Sequence, residues 1–487
     1  MMEGSTVPKL SVTEPMQEQI RNRMKGAPDF VIRQFPLRGS SAFTCLYLSS
    51  IVESALVDEF VIKPILAAVP IEKQEEYDLD DLGWFHRHIP FVQNTEWSDA
   101  DEGICLLLEG QCLLIPTVDR FLSFDVKRSD YRSVTEPQSE ATVRGPREGF
   151  VEDIGRNVAL IRKRLKSEHL VFEQMIIGTK TKTKVYLTYL PDIASNGVVY
   201  EFRRRLQAIQ ADSILESSYL EDWIQDKTLS PFPQLIGTER PDAVTGKLLE
   251  GQVALLTDGT PIALIGPVTF FQLFSSPEDY YQRPDIATLT RWLRFFAFML
   301  SIFIPPLYIA VVTFHQELLP TLLLINLAAQ REAVPFPAFL EAMIMMVTFE
   351  ILREASLRMP RIAGQSISIV GALVLGMTTV EAGLVSAAMV IVVSITAISN
   401  FVSPIYGFGN AQRVLQFVFM FLAGFMGLYG ILCGTLFVLV HLVSLSSFGV
   451  KYMSPLAPLL VSDFKDTILR VPRFWLNQKP QMFSRKK

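Results

Sequence analysis

Cysteine and histidine are scarce in this chain, four and five in 487 residues. Cys45, Cys105, Cys112 and Cys433 are scattered, with no CxxC pair and no spacing that marks a disulfide framework. Such usage suits a reducing compartment. His86 and His88, in WFHRHIP, are the only close histidines, and no further Cys or His completes a ligand set. No zinc site, other metal or cofactor is therefore expected. The sequence also lacks GxSxG, GxxxxGK[ST], HExxH and GxGxxG, the patterns that build nucleophile elbows, phosphate loops and metalloprotease sites. Catalytic residues cannot be named, and an enzyme is not expected. The opening stretch, MMEGSTVPKLSVTEPMQEQIRNRMKG, has no apolar core of signal-peptide length, so the polar part of the chain is expected to stay cytoplasmic.

Charge is the other scarcity, and it is unevenly spread. Residues 1–290 hold 30 Lys and Arg against 42 Asp and Glu, whereas residues 291–487 hold only 15 against 8. An acidic polar part is followed by an apolar part with sparse, mostly basic charge. That division predicts a soluble region joined to a membrane region. The acidic balance of the soluble part, with no aromatic interleaving of its basic residues, argues against nucleic-acid binding.

In the polar part, residues 1–40 read as a polar leader. Residues 41–138 and 139–290 read as two α/β subdomains. In the first, SAFTCLYLSS is β-rich and the following Ile51, Leu56, Phe60 and Ile65 suggest a helix. ICLLLEGQCLLIP (104–116) reads as two short strands around the turn EGQ. In the second, Ile154, Val158, Ile161 and Leu165 fall on one helical face. Arg156 and Lys163 lie on a basic face, read as solvated, with Glu152 placed to pair with Arg156. TKVYLTYL (183–190) alternates like a strand, GVVYEFRRRLQAIQ (197–210) is helical, and VALLTDGTPIALI (253–265) is a hairpin turning at Asp258-Gly259.

Residues 291–447 read as a helical membrane domain and 448–487 as a basic cytoplasmic tail. The run 292–314 is 23 residues, about 34 Å as a helix, enough to span a bilayer. Arg291 and Arg294 place its start in the cytoplasm, and Pro305-Pro306 predicts a kink or local unwinding. The run 318–330 is too short to cross alone. The run 335–352 is long enough but carries Glu341 and Glu350. It leads to a loop with Arg353, Arg358 and Arg361 against Glu354, which the positive-inside rule puts in the cytoplasm. The run 414–445, 32 residues and about 48 Å, is too long for one straight crossing. It is expected to tilt, to kink at Gly424, Gly427, Gly430 or Gly434, or to fold into two. Four crossings are the first expectation, six if 363–403 and 414–445 are both hairpins.

One residue breaks the apolar pattern of GQSISIVGALVLGMTTVEAGLVS (364–386). Glu381 is a carboxylate in a stretch fit for lipid, where a charge costs ~2.5–3.5 kcal/mol near the bilayer centre. Gly364, Ser368, Gly371 and Thr378 form a small-residue stripe that lets backbones approach, and Gln365 and Thr379 add polar groups. Two readings follow. In one the stripe is a helix-packing seam and Glu381 lies near the headgroups. In the other the segment lines an ion path and Glu381, repeated around an oligomer, draws cations.

These residues also carry a resemblance. The order of RGPREGFVEDI, NVALIRKRL, ERPD (239–242), LLEGQVALLTDGTP (248–261), PEDYY (277–281), IVGALVLG (369–376), VEAGLVS (380–386) and SLSSFGVKYMSPLAP (444–458) resembles the A-subunit family of bacterial spore germination receptors, the GerA family, over residues 40–475. The resemblance implies an α+β chain, two soluble subdomains and then an all-α polytopic membrane domain, in the inner membrane of a spore. It implies a homo-oligomer, a pentamer, forming a gated channel that releases monovalent cations when germinant is sensed. A transporter-like B subunit and a lipoprotein C subunit are the implied partners. The family also includes a sporulation-expressed paralogue that amplifies germination. Where the family usually has Gln-Ala-Ala after IVGALVLG, this chain has Met377, Thr378 and Thr379. Two other functions stay open: a non-conducting scaffold that couples to a partner, and a secondary transporter, which would need corresponding broken helices in two halves.

Overall fold

The computed structural model describes residues 15–36, 42–68, 92–97, 99–117, 120–127, 142–358 and 374–475, with positions 137, 140, 480, 482 and 483. Two compact units emerge. One is assembled from Met1–Ile224, Thr238–Gly266 and Phe483–Lys487, the other from Gln225–Gly237 and Pro267–Met482.

The first unit holds two five-stranded sheets. Helix α1 (Met16–Arg23) precedes strands β1 (Phe30–Pro36), β2 (Ala42–Leu48), β3 (Val92–Trp97), β4 (Gln111–Thr117) and β5 (Arg120–Asp125), arranged β1-β2-β4-β5-β3. Strand periodicity explains why both faces are covered. Phe43, Cys45, Tyr47, Cys112, Leu114, Leu122 and Phe124 point to one side, against Val57, Val61 and Ile65 of a helical stretch. Leu46, Leu48, Leu113, Ile115 and Phe121 point to the other, against Ile20 of α1 and Leu107 of α2 (Ala100–Leu108). Alternation with two apolar sets is what a sheet buried on both faces requires.

Helix α2 corrects the reading of 104–108 as a strand. The five consecutive apolar residues Ile104, Cys105, Leu106, Leu107 and Leu108 fit either period. The deciding signals lie upstream: Asp99 caps the helix by accepting from Asp101 N at 3.1 Å, and Asp101 and Glu102 occupy the first turn, where acids favour a helix N-terminus. The helix ends at Gly110, with φ +85°, and β4 follows as expected.

The second sheet is built from β6 (Val171–Ile177), β7 (Thr183–Tyr189), β8 (Ile236–Thr238), β9 (Val253–Thr257) and β10 (Ala263–Gly266), in the order β6-β7-β9-β10-β8. Its helices are α3 (Ile154–Arg164), α4 (Asn196–Gln207), α5 (Ser217–Ile224) and α6 (Pro241–Leu249). The hairpin at Asp258-Gly259 is present, with Gly259 at φ +88° and Leu255 opposite Leu264. Helix α3 buries the expected face, and Arg156 has Asp153 within 3.7 Å while Lys163 reaches Glu148 at 2.7 Å. One basic residue of that helix is not solvated. Arg162 is buried and donates from Nε and Nη2 to Asp29 at 2.7 Å each, tying the two sheets together.

The second unit is helical: α7 (Pro284–Phe314), α8 (Thr321–Arg331), α9 (Ala338–Arg358), α10 (Ala387–Phe401) and α11 (Tyr406–Ser444). Helices α7 and α11 are long and apolar enough to cross a membrane. Helix α7 runs through Pro305 and Pro306 without unwinding, contrary to one alternative of the sequence reading. Both prolines are buried, so packing holds the helical path although two backbone donors are missing.

Helix α11 resolves the overlong run. At Gly427 the backbone takes φ +61°, ψ −142°, a region open only to glycine. The chain doubles back there, because Gly434 lies against Leu422 and Phe419, 12 and 15 positions earlier in the numbering, which would be ~20 Å away in a straight helix. The arms are 406–426 and 428–444, about 31 and 25 Å long. The tip packs on Phe314 and His315 at the end of α7.

Side-chain pairs fix the directions of α7, α9, α10 and the first arm of α11. Phe298 stacks on Phe408 at 4.8 Å and Phe303 meets Phe419 at 5.1 Å, so α7 and the first arm run parallel. Phe339 meets Phe421 at 5.5 Å, while Glu350 reaches Arg413 at 3.3 Å, so α9 runs the opposite way. Ser386 contacts Glu341 and Phe401 contacts Phe349, so α10 runs with α9. We call the Gly427 end of this bundle the tip and the Phe408 end the base.

Candidate functional site

The helical unit encloses polar side chains that a wholly apolar bundle would not contain. They fall at three levels between tip and base. Burying such groups is costly unless they are paired, so each level is an observation about function or about specificity of packing.

At the tip level stands Glu341, one turn into α9 and fully buried. Its Oε1 accepts from the backbone N–H of Ser386 at 2.5 Å and from Ser386 Oγ at 2.6 Å. Ser386 is the N-cap of α10, its Oγ also accepting from Met389 N, so the carboxylate lies at the positive end of that helix. Tyr308 Oη of α7 is 3.4 Å from Ser386 Oγ. Arg331, the last residue of α8, brings its Nε to 3.9 Å from Glu341 Oε2. Neither of those two atoms has a hydrogen-bond partner.

At the middle level are amides. Gln412 donates to Ser301 Oγ, and Asn400 lies 3.5 Å from Gln416, whose amide faces Met346 Sδ at 3.4 Å. Gln412 Oε1 and Asn400 Oδ1 are buried without partners. Gln412 also lies one turn from the stretch of α7 where Pro305 and Pro306 leave the carbonyls of Ser301 and Ile302 without helical donors. Level with Gln412, Glu350 pairs with Arg353 at 2.6 Å and Arg413 at 3.3 Å.

Below these, the first turns of α7 hold a buried cluster. Asp279 accepts from Arg291 Nε at 3.0 Å and Arg294 Nη1 at 2.9 Å, and the Tyr280 ring lies between Arg291 and Arg470, 5.6 and 5.0 Å from their guanidinium carbons. The two arginines that oriented the first apolar run are thus fixed by an acid from the PEDYY motif.

Of the residues singled out from the sequence, Thr378, Thr379 and Glu381 are described. Gly364, Gln365, Ser368 and Gly371 lie outside the described residues. A π-helical turn over Val374–Thr378 passes into a short helix, Thr379–Glu381, that ends at Gly383 with φ +66°. The Glu381 side chain is exposed on this chain, and Gly383 lies against Ala333 next to α9. Glu381 is therefore at the tip, five positions before Ser386. The sequence reading noted Glu341 and Glu350 only as blemishes in an apolar run. The signal for Glu341 was the serine before AAMVIVV: a helix cap inside an apolar region needs a partner.

Together these features define an α+β chain whose apolar helices surround paired and unpaired polar groups. The family model described as Bacillus/Clostridium GerA spore germination protein matches residues 18–482, and the chain belongs to that family. It is 41% identical over 465 residues to the uncharacterized membrane protein YfkQ of Bacillus subtilis (strain 168), covering 95% of this chain and 89% of that one. It is 40% identical to spore germination protein KA of the same organism, over 95% and 84% of the two chains. With spore germination protein GerLA of Bacillus cereus it shares 36% identity over 97% and 95%. Among solved structures, the N-terminal domain of the A subunit of the Bacillus megaterium spore germinant receptor GerK3 matches 52% of this chain and 94% of that one, at 33% identity and a TM-score of 0.40.

Proposed function

We propose that this chain is a membrane subunit of a spore germination receptor and that its copies assemble into a gated cation channel. Residence in the spore inner membrane, a pentameric ring, and transporter-like B and lipoprotein C partners complete the proposal. The observation that carries it is the set of polar levels inside apolar helices. A bundle that only anchored the chain would have no use for Glu341, Gln412 and Glu350 in its interior.

The helix directions support six crossings. Helices α7 and the first arm of α11 run one way, and α9, α10 and the second arm run the other. Because α9 and α10 are parallel, Arg358 ends α9 at the base and Gly383 precedes α10 at the tip, which calls for a sixth crossing between them. Glu381 stands at the tip, two positions before Gly383. There its carboxylate is free to join those of sister chains, so that a ring of acids draws cations to the pore mouth.

The test is ion release. Glu381→Gln is expected to reduce potassium efflux from germinating spores several-fold with normal assembly. Unchanged efflux from a correctly assembled variant would remove Glu381 from the pore. A purified oligomer that passes no current in a planar bilayer would favour a non-conducting scaffold, and counter-ion-coupled uptake in proteoliposomes would favour a transporter.

A further inference from the structure

The tip-level carboxylate is only half used. Glu341 Oε1 caps α10 through two short bonds, which explains why that oxygen is buried. Oε2 is equally buried and accepts nothing. The nearest cation, Arg331 Nε, stops at 3.9 Å and is also unpartnered. Guanidinium and carboxylate normally close to about 2.7–2.9 Å, often in two parallel bonds. Arg162 and Asp29 do so in this same chain. The Arg331–Glu341 pair is held open by more than an ångström.

Two further observations bear on what that opening is for. Arg331 ends α8, a helix with no buried residue, whose neighbouring Gln330 accepts from Ala388 N at 3.3 Å. Apart from Arg331, the side chains placed here among the described residues offer oxygens: Ser386 Oγ donates to Oε1 at 2.6 Å, and Tyr308 Oη lies 3.4 Å from that hydroxyl. One carboxylate charge with neutral oxygens suits a hard monovalent cation better than a soft or a divalent one.

We propose that Glu341 Oε2 is a binding site for a monovalent alkali cation and that Arg331 is its tethered substitute, occupying the charge when no ion is bound and yielding when one arrives. The part this site plays in conduction rests on the channel reading above; the binding itself does not. Glu381, exposed at the same end, would gather the ions that Glu341 then holds.

The two substitutions pull in opposite directions, which a merely structural ion pair would not do. The full-length oligomer in detergent is melted in potassium chloride against N-methyl-D-glucamine chloride, whose cation is too large to enter. Potassium is expected to raise the Tm of the wild type. Arg331→Gln removes the competitor and should lower the potassium concentration for half-maximal effect at least about tenfold, given the strength of a charge pair at this range. Glu341→Gln keeps an oxygen for both Ser386 donors and should abolish the potassium-specific rise. An unchanged potassium response in Glu341→Gln overturns the proposal. So does Arg331→Gln weakening the response or leaving its half-point where it was, and that variant decides alone if Glu341→Gln does not assemble. A planar bilayer separates the two claims. A potassium-specific Tm rise without current leaves the site standing and removes the channel, whereas current without the rise removes the site.

Discussion

Arg162 and Arg240 are the two largest side chains with almost no exposure, and each holds together chain segments far apart in sequence. Arg162 has Asp29 on one side and the Phe172 ring 5.1 Å away on the other. Removing one member of a buried pair strands the other charge, at a cost of ~3–5 kcal/mol. Arg162→Ala should therefore lower the denaturant midpoint of the first unit by that equivalent. Adding Asp29→Asn should restore part of it, and no recovery in the double variant would argue that the loss is one of packing. Arg240 explains the ERPD motif. It reaches Asp242 at 2.8 Å, Thr142 at 3.0 Å and the Pro146 carbonyl at 3.1 Å. Beside it, Thr238 donates to Glu140 at 2.7 Å. Burial pushes the Glu140 carboxyl up to about 7, with the Thr238 bond and the Arg240 charge opposing. The folded form thus binds a proton the unfolded chain has lost. Stability from this group is full below about pH 4.5, falls as pH rises toward 7 and is level above it. Glu221, also raised to about 7 by burial, acts in the same direction. Glu216, held down at about 2 by its hydroxyl and backbone donors, changes nothing in that window. Glu140→Gln should flatten the fall between pH 5 and 7.5 and raise the Tm at pH 8. A slope identical to wild type would count against it.

At the scale of elements, local signals were legible wherever periodicity and caps agreed, as in α3, β7 and the Asp258-Gly259 hairpin. They failed where a short apolar run fits both periods, as at Ile104–Leu107, and the cap at Asp99 was the better guide. The candidate site was less legible. An isolated acid in an apolar stretch stands out, so Glu381 was found. Glu341 needs a partner 45 positions away, and no local pattern supplies that. The bend in α11 lay between the two. Four glycines were candidates, and only the tertiary contact with Phe314 and His315 selects Gly427. Any side chain there meets both a forbidden backbone region and those two residues. Gly427→Ala should cost the helical unit ~2–3 kcal/mol and lower the yield of folded protein in detergent. Gly424→Ala, which meets only the Phe339 ring, should cost less. Equal losses would deny Gly427 its special role.

For the whole molecule, the six crossings proposed above make a labelling prediction. Single cysteines placed at Glu317 and Glu332 should react with a membrane-impermeant maleimide from outside the bilayer. Those at Ser356 and Tyr406 should react only after permeabilisation. Reaction of Ser356 and Glu332 from the same side would reduce the count of crossings.

The stretch Gln225–Gly237 carries a last consequence. It runs in sequence from the end of α5 into β8, yet it belongs to the helical unit. Phe232 is buried beside Phe270 and Tyr452, Ser230 meets His441 at 2.9 Å, and Ser447 and Tyr452 donate to the carbonyls of Gln234 and Pro233. A single cut between β10 and α7 therefore parts Gln225–Gly237 from His441 and Tyr452. A fragment ending ahead of α7 keeps a greasy loop stripped of its seat, and a fragment starting at α7 keeps the seat with nothing in it.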